Sequence, residues 1–259
     1  MSGYLLDNQQ PQAGDRFTAL SALFDDCTFR HLERTGVGNG WQCWEVGAGS
    51  PTVPAWLASR TGPAGRVVAT DLDTSWLPPA APYEVLRHDV GVDPPPGQFD
   101  LVHARLVLVH VPQRAEALRA LVSALRPGGW LVLEEADPAL QPLVCVDESG
   151  EAERLANELK RGFRRLMADR GVDLAYGRQL PRLMREAGLV DVEADAYFPL
   201  TSPACAVLEV ATVLQIRDQL VQHGIATEPQ IEQHLANVRA GRLDLTISPL
   251  VSAWGHKPS

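Results

Sequence analysis

The chain has 259 residues, 45% hydrophobic and 21% charged, which is ordinary globular usage that allows a full core and argues against global disorder. Its formal net charge of −9 argues against a nucleic-acid partner, because gripping phosphates takes a basic face. Cys27, Cys43, Cys145 and Cys205 stand singly with no C-x-x-C pair, so neither a disulfide framework nor a metal site is expected.

The first fifteen residues lack both Lys and Arg and an apolar core, so no signal peptide is read. No run approaches the ~20 apolar residues of a membrane span. The expectation is a cytoplasmic protein with no membrane partner. Only Lys160 and Lys257 are lysines among 23 basic residues, a bias typical of GC-rich bacterial genomes.

Residues 1–12 read as an extended polar arm. From Asp15 to Arg34 apolar residues recur at Phe17, Leu20, Leu23, Phe24 and Leu32, a helical spacing stopped by Gly36, Gly38 and Gly40. Cys43–Val46 is a strand that runs into Gly47-Ala48-Gly49, and a helix follows through Trp56 and Leu57 to Gly62-Pro63. Strands are then expected at 67–70, 83–86, 99–102 and 130–133, with a helix at 115–125. Further on, helices are expected at 151–170, 177–188, 204–223 and 228–240, and strands at 192–200 and 246–254. Strands alternating with helices at this pace predict an α/β, doubly wound sheet. The chain is read as one domain with helical insertions and no internal repeat.

The chemistry concentrates at Glu45-Val46-Gly47-Ala48-Gly49-Ser50, followed 22 residues later by Asp71. A glycine turn between a first strand and its helix lets a ligand touch backbone, and the helix N-terminus attracts an anion. An acid ending the next strand can accept hydrogen bonds from two ribose hydroxyls. Together they suit a nucleoside carrying a negative group; a tight turn beside a solvated Asp is the plainer alternative. A dinucleotide fingerprint would need a third glycine where this chain has Thr52.

Five segments in order, 45–49, 67–71, His88-Asp89, 99–103 and 125–131, resemble the class I S-adenosylmethionine-dependent methyltransferases. Within them the chain looks most like the branch that holds the ubiquinone/menaquinone C-methyltransferases and many enzymes of bacterial specialised metabolism. The resemblance implies a Rossmann-like seven-stranded sheet, mostly parallel with an antiparallel last strand. It also implies S-adenosyl-L-methionine as cofactor and a small-molecule acceptor, in a monomer or homodimer.

By that resemblance Gly47, Ala48 and Gly49 line the methionine part of the cofactor, with Glu45 near it. Asp71 binds the ribose with Leu72 beside it. Asp89 takes the adenine amino group with Val90 at the ring, and His103, Ala104 and Arg105 lie under the sulfonium. Residues 1–38 form the arm and first helix and 39–137 the cofactor-binding core. Segments 138–175 and 203–243 are read as a helical substrate lid. One departure is Pro51, where the family usually has glycine; proline suits a first helical turn, and Ser50 can cap it.

His103, Glu135 and Glu134, in that order, are the candidates for an assisting base. Glu134 and Glu135 close the fifth strand at the sheet edge where ligands sit, and being adjacent they should face opposite sides. Their alternative reading is a solvated strand end. His110, in an apolar stretch, reads as a packing histidine, and Trp56, Trp76 and Trp130 as packing tryptophans. Lys160, Arg161, Arg164 and Arg165, interleaved with acids, read as an exposed mixed-charge helix. The rival to catalysis is a relative that binds the cofactor without transferring its methyl group.

Overall fold

The computed structural model describes residues 5–6 and 8–259; residues 1–4 and 7 of the expected arm lie outside the described residues. Strands run at β1 (Gln42–Val46), β2 (Arg66–Asp71), β3 (Glu84–Arg87), β4 (Phe99–Arg105), β5 (Leu125–Ala136), β6 (Val190–Tyr197) and β7 (Leu250–His256). The helices are α1 (Gln12–Arg34), α2 (Thr52–Thr61), α3 (Arg114–Ser123), α4 (Glu151–Ala168), α5 (Leu180–Glu186), α6 (Pro203–Gln222) and α7 (Glu228–Arg239). The chain clusters into two compact units: Phe24–Ala136, Tyr176–Tyr197 and Leu250–Ser259, which hold the whole sheet, and Met1–Leu23, Asp137–Ala175 and Phe198–Pro249, which are helical.

In the sheet unit the strand order is β3-β2-β1-β4-β5-β7-β6. β1 to β5 pair in parallel, and β7 runs antiparallel to both its neighbours, β5 and β6. The apolar runs of β1 and β2 follow from this arrangement: all but their first or end residues are buried, as strands covered on both faces must be. The core gathers Cys43, Leu101 and Val132 from the strands with Leu57 of α2 and Leu32 of α1.

Several element ends differ from the sequence expectation, for physical reasons. β6 stops at Tyr197 rather than Leu200, just ahead of Pro199, and β7 begins at Leu250, just past Pro249, because proline gives a ladder no N–H. Thr246, expected in that last strand, makes only an isolated bridge to Leu200. β4 runs three residues past Val102, to Arg105, since its polar end residues find buried partners. The helix expected at 177–188 is a 3₁₀ turn at Gly177–Gln179 followed by α5.

In the helical unit α4, α6 and α7 pack around Leu159, Leu166, Val213, Ile216 and Leu235. α7 opens with a capping box, Thr227 and Gln230 each taking the other's orphan backbone N–H. The expected exposed face of α4 holds at Arg161 and Arg165 but fails at Lys160. Lys160 is half-buried one residue after core Leu159 and lines a cavity with Phe163, Glu209 and Thr212; burial lowers its pKa. Glu209 is itself held by His234 Nε2 at 2.9 Å.

Among the described residues no helix is long and apolar enough to cross a membrane, and no group of His, Cys, Asp and Glu could hold a metal ion. All four cysteines are free and buried.

Leu101 is fully buried on β4, between β1 and β5. Leu101→Ala is expected to cost about 2–5 kcal/mol, the range for truncating a core leucine. Urea unfolding followed by circular dichroism checks this.

Candidate functional site

The glycine turn leaves β1 in the left-handed region at Gly47, φ +63, and again at Gly49, φ +57. At Gly47 space as well as φ demands glycine, because a Cβ there would sit 2.3 Å from Val107 Cγ2. The turn is tied to β2 at two points. Ala48 N–H donates to Thr70 O at 3.0 Å, and Gly49 N–H donates to Asp71 Oδ2 at 2.9 Å. Asp71 also accepts from Asp73 N–H at 3.0 Å through Oδ1, so one carboxylate holds both the turn and the loop beyond β2. Burial raises its pKa, and the N–H groups of Asp73, Gly49 and Leu72 pull the other way.

Beside it Leu72 is 57% exposed, a large apolar side chain at a strand end. At the end of β3, Asp89 Oδ1 accepts from Gly91 N–H at 2.9 Å and Val90 is buried. α2 starts differently from expectation: Pro51 is the cap residue and no side chain caps the helix. Ser50 instead hydrogen-bonds Thr52 through its hydroxyl at 3.1 Å, because proline already removes one N–H a cap would satisfy.

A line of acids and imidazoles crosses the sheet behind the turn. Glu45 of β1 meets His103 Nδ1 at 2.6 Å, and His103 Nε2 stands 3.4 Å from Glu134 Oε2. Glu134 Oε1 meets His31 Nδ1 at 3.0 Å and accepts from Ser252 Oγ at 2.7 Å. Thr28 Oγ1 donates to Glu134 Oε2. His31 Nε2 continues to the Asp195 carboxylate at 3.0 Å. His31, His103 and Glu134 have no exposed side-chain surface, whereas Asp195 is 40% exposed. Burial pushes Glu134 toward neutrality, but hydrogen bonds to His103 and His31 and the nearby positive charges hold its pKa well below the carboxylate range.

Glu135 points to the other face, as its place next to Glu134 requires. Its Oε1 accepts from the N–H groups of Val107, Leu108 and Val109 at 3.1, 2.7 and 3.3 Å, while Oε2 has no hydrogen-bond partner among the described residues. That carboxyl secures the turn after β4, where Leu106 is held at φ +59, a costly angle for leucine. Val107, which bars a side chain at Gly47, belongs to the same turn. Burial raises the Glu135 pKa to about 8 against the three N–H groups.

The sequence expectations thus meet the structure unevenly. Glu45, Gly47, Ala48, Gly49 and Asp71 converge at the ends of β1 and β2, and Leu72, Asp89 and Val90 follow at the ends of β2 and β3. His103, Glu134 and Glu135, the candidates for an assisting base, are all buried, at 0 or 1% exposure. Arg105, expected beneath a sulfonium, pairs with Asp25 at 2.9 Å and donates to Thr28 Oγ1 at 2.9 Å. Alternation along β4 puts His103 and Arg105 on the face covered by α1, and Ala104, also buried, on the other. His110 is half-buried in a 3₁₀ turn.

Sequence reasoning missed Thr28, His31, Asp195 and Ser252. The available signal was Thr28 and His31, three apart on a helix face otherwise marked by Phe24 and Leu32.

A family profile described as a methyltransferase domain matches residues 35–194. The chain belongs to the class I S-adenosylmethionine-dependent methyltransferases. Methyltransferase str2 of Strobilurus tenacellus is 32% identical over 158 residues, 58% of this chain and 53% of that protein. The ubiquinone/menaquinone biosynthesis C-methyltransferase of Hahella chejuensis is 26% identical over 125 residues, 44% of this chain and 50% of that one. The chain therefore spans about half the length of these curated relatives.

Phosphoethanolamine N-methyltransferase 2 of Haemonchus contortus shares the fold at a TM-score of 0.59 and 16% identity, over 100% of this chain and 60% of that one. A putative sarcosine dimethylglycine methyltransferase of Galdieria sulphuraria does so at 0.54 and 14%, over 98% and 92%.

Two outcomes are expected. Gly47→Ala should lose at least about 1–2 kcal/mol of stability, the left-handed cost of a Cβ, with the Val107 clash added; thermal unfolding measures it. Glu135 is an acid with a raised folded pKa, so its contribution to stability is present at low pH and is lost as pH rises from 4.5 to about 8. Glu135→Gln keeps the Oε1 acceptor and removes that loss. Its stability relative to the parent, from urea titrations at pH 5 and pH 8, should improve at the higher pH.

Proposed function

We propose that this chain transfers the methyl group of S-adenosyl-L-methionine to a small-molecule acceptor. The observation that carries this reading is the Gly47–Gly49 turn latched to Asp71 by the Gly49 N–H. The turn brings backbone to the ligand, and the Asp71 oxygens, each engaged by a backbone N–H, keep lone pairs that can accept further hydrogen bonds. In this reading Asp71 accepts from the ribose hydroxyls, and Leu72 and Val90 flank the adenine. Asp89, whose Oδ2 has no hydrogen-bond partner among the described residues, accepts from the adenine amino group. The turn at Gly47, Ala48 and Gly49 lines the methionine part of the cofactor, and Glu45, whose Oε1 has no hydrogen-bond partner among the described residues, receives the ammonium.

When bound, the cofactor supplies a sulfonium methyl with a good, neutral leaving group. The chain's own task is then to hold the acceptor nucleophile about 3–3.5 Å from that methyl and to exclude water. Positioning dominates, and no single base is indispensable. The helical segments 138–175 and 203–243 choose the acceptor, read as a bacterial specialised metabolite. The acidic balance supports a small molecule over RNA, in a cytoplasmic monomer or homodimer.

Asp71→Ala is expected to weaken S-adenosylmethionine binding by about 1.5–3 kcal/mol, the range for a hydrogen bond to a charged group. Calorimetric titration measures this, and equal affinity in the variant would remove the ribose assignment. Transfer of label from methyl-labelled cofactor into small molecules of a bacterial extract tests the activity itself. Absence of transfer despite tight cofactor binding would leave a binding protein in place of an enzyme.

A further inference from the structure

The line from Glu45 to Asp195 is more than a cofactor site requires. Along it charges alternate: carboxylate, imidazole, carboxylate, imidazole, carboxylate. Its outer end, Asp195, is 40% exposed and has Arg30 at 3.7 Å. Its inner end, Glu45, is 2% exposed and, among the described residues, hydrogen-bonds through one oxygen only. An isolated carboxylate buried that deeply would take up a proton instead of staying charged.

We propose that His103 is a positioning residue for the cofactor: clamped between Glu45 and Glu134, with His31 behind, it keeps Glu45 ionised and aimed at the cofactor ammonium. This rests on the cofactor assignment above.

Five elements contribute to the clamp. β1 supplies Glu45, β5 Glu134, β7 Ser252 through Glu134, and β6 Asp195 through His31. α1 supplies Thr28 and His31, and the Arg105–Asp25 pair sits one hydrogen bond away through Thr28. Burial works against a charged His103, but the Glu45 charge, then hydrogen bonds to Glu134 and Glu45, hold its pKa up at about 9. Glu45 is pushed up by burial and drawn back chiefly by His103. Removing the imidazole therefore removes the largest influence that keeps Glu45 charged. With it goes the attraction for an ammonium, even though no side chain touching the ligand has been altered.

The test uses the full chain and S-adenosylhomocysteine, which keeps the ammonium and cannot react. Parent, His103→Gln and Glu45→Gln are titrated by calorimetry between pH 6 and 8.5. The ratio of parent to variant affinity cancels the ligand's own titration. His103→Gln is expected to bind roughly 10- to 150-fold more weakly at pH 6–7, the loss of a charge-assisted hydrogen bond. The deficit should shrink as pH rises and Glu45 ionises unaided. Glu45→Gln should be weakened with a flat ratio.

His31→Gln, one acid further back, should show a smaller deficit of the same pH sign, and it serves as the test if His103→Gln does not fold. A His103→Gln affinity within twofold of the parent, or a deficit that stays constant with pH, would overturn the inference and leave His103 merely structural. If the parent fails to bind S-adenosylhomocysteine, the cofactor assignment falls, and this inference with it.

Discussion

Glu134 is a charge kept from water in the middle of a sheet, and the sheet unit is arranged around keeping it satisfied. Two imidazoles, two hydroxyls and the field of Arg105 surround one carboxylate. These partners come from α1, β4 and β7, so a single group fixes how a helix and two strands meet β5. Buried ions are weak evidence for stability in themselves, since desolvation offsets much of their attraction. Their strength lies in selectivity. Any arrangement that slid β7 by one residue or rotated α1 would strand the charge, and leaving one buried and unpaired costs far more than the pairing contributes.

The neighbouring Glu135 solves a different problem with the same side chain. It faces away from the line, takes no cationic partner and gathers three backbone N–H groups. Counter-charges hold the pKa of one glutamate down, while burial raises that of the other against three backbone N–H groups and the more distant charge of Arg114. The pleat of one strand thus shifts the pKa values of two adjacent, chemically identical residues in opposite directions. The glycine turn depends on both faces: Glu45 reaches into the acid–imidazole line, while Gly47 rests on the Val107 side chain that Glu135 holds in place.

Much of this was legible in the sequence because local rules decided it. Glycines at 47 and 49 announce left-handed backbone, and Asp71 ends a β-branched strand. Alternating apolar runs give the parallel core. The opposite facing of Glu134 and Glu135 follows from the period of a strand alone. What the sequence withheld are relations between distant elements. His103 could be seen as a polar residue in an apolar strand, but not that Glu45 and Glu134 flank it, since they lie 58 and 31 positions away in the chain. Lys160 misled for a related reason: its charged neighbours spoke for an exposed face, and only the packing of α6 against α4 turns it inward. The prolines at 199 and 249 were visible signals whose strand-ending effect went unread.

The place of β7 in the sheet has a bearing on how the protein is made. β7 lies between β5 and β6, yet it is synthesised after both and after all of residues 198–249. While a ribosome is still translating that stretch, β5 has an unpaired edge and Glu134 lacks the Ser252 hydroxyl. β6 meanwhile has no strand to join. Pairings this distant in sequence form slowly, and open edges are where nascent chains stick to one another. The emerging chain thus passes through an interval in which its sheet stops at the fifth strand. That edge stays open until Leu250–His256 closes it.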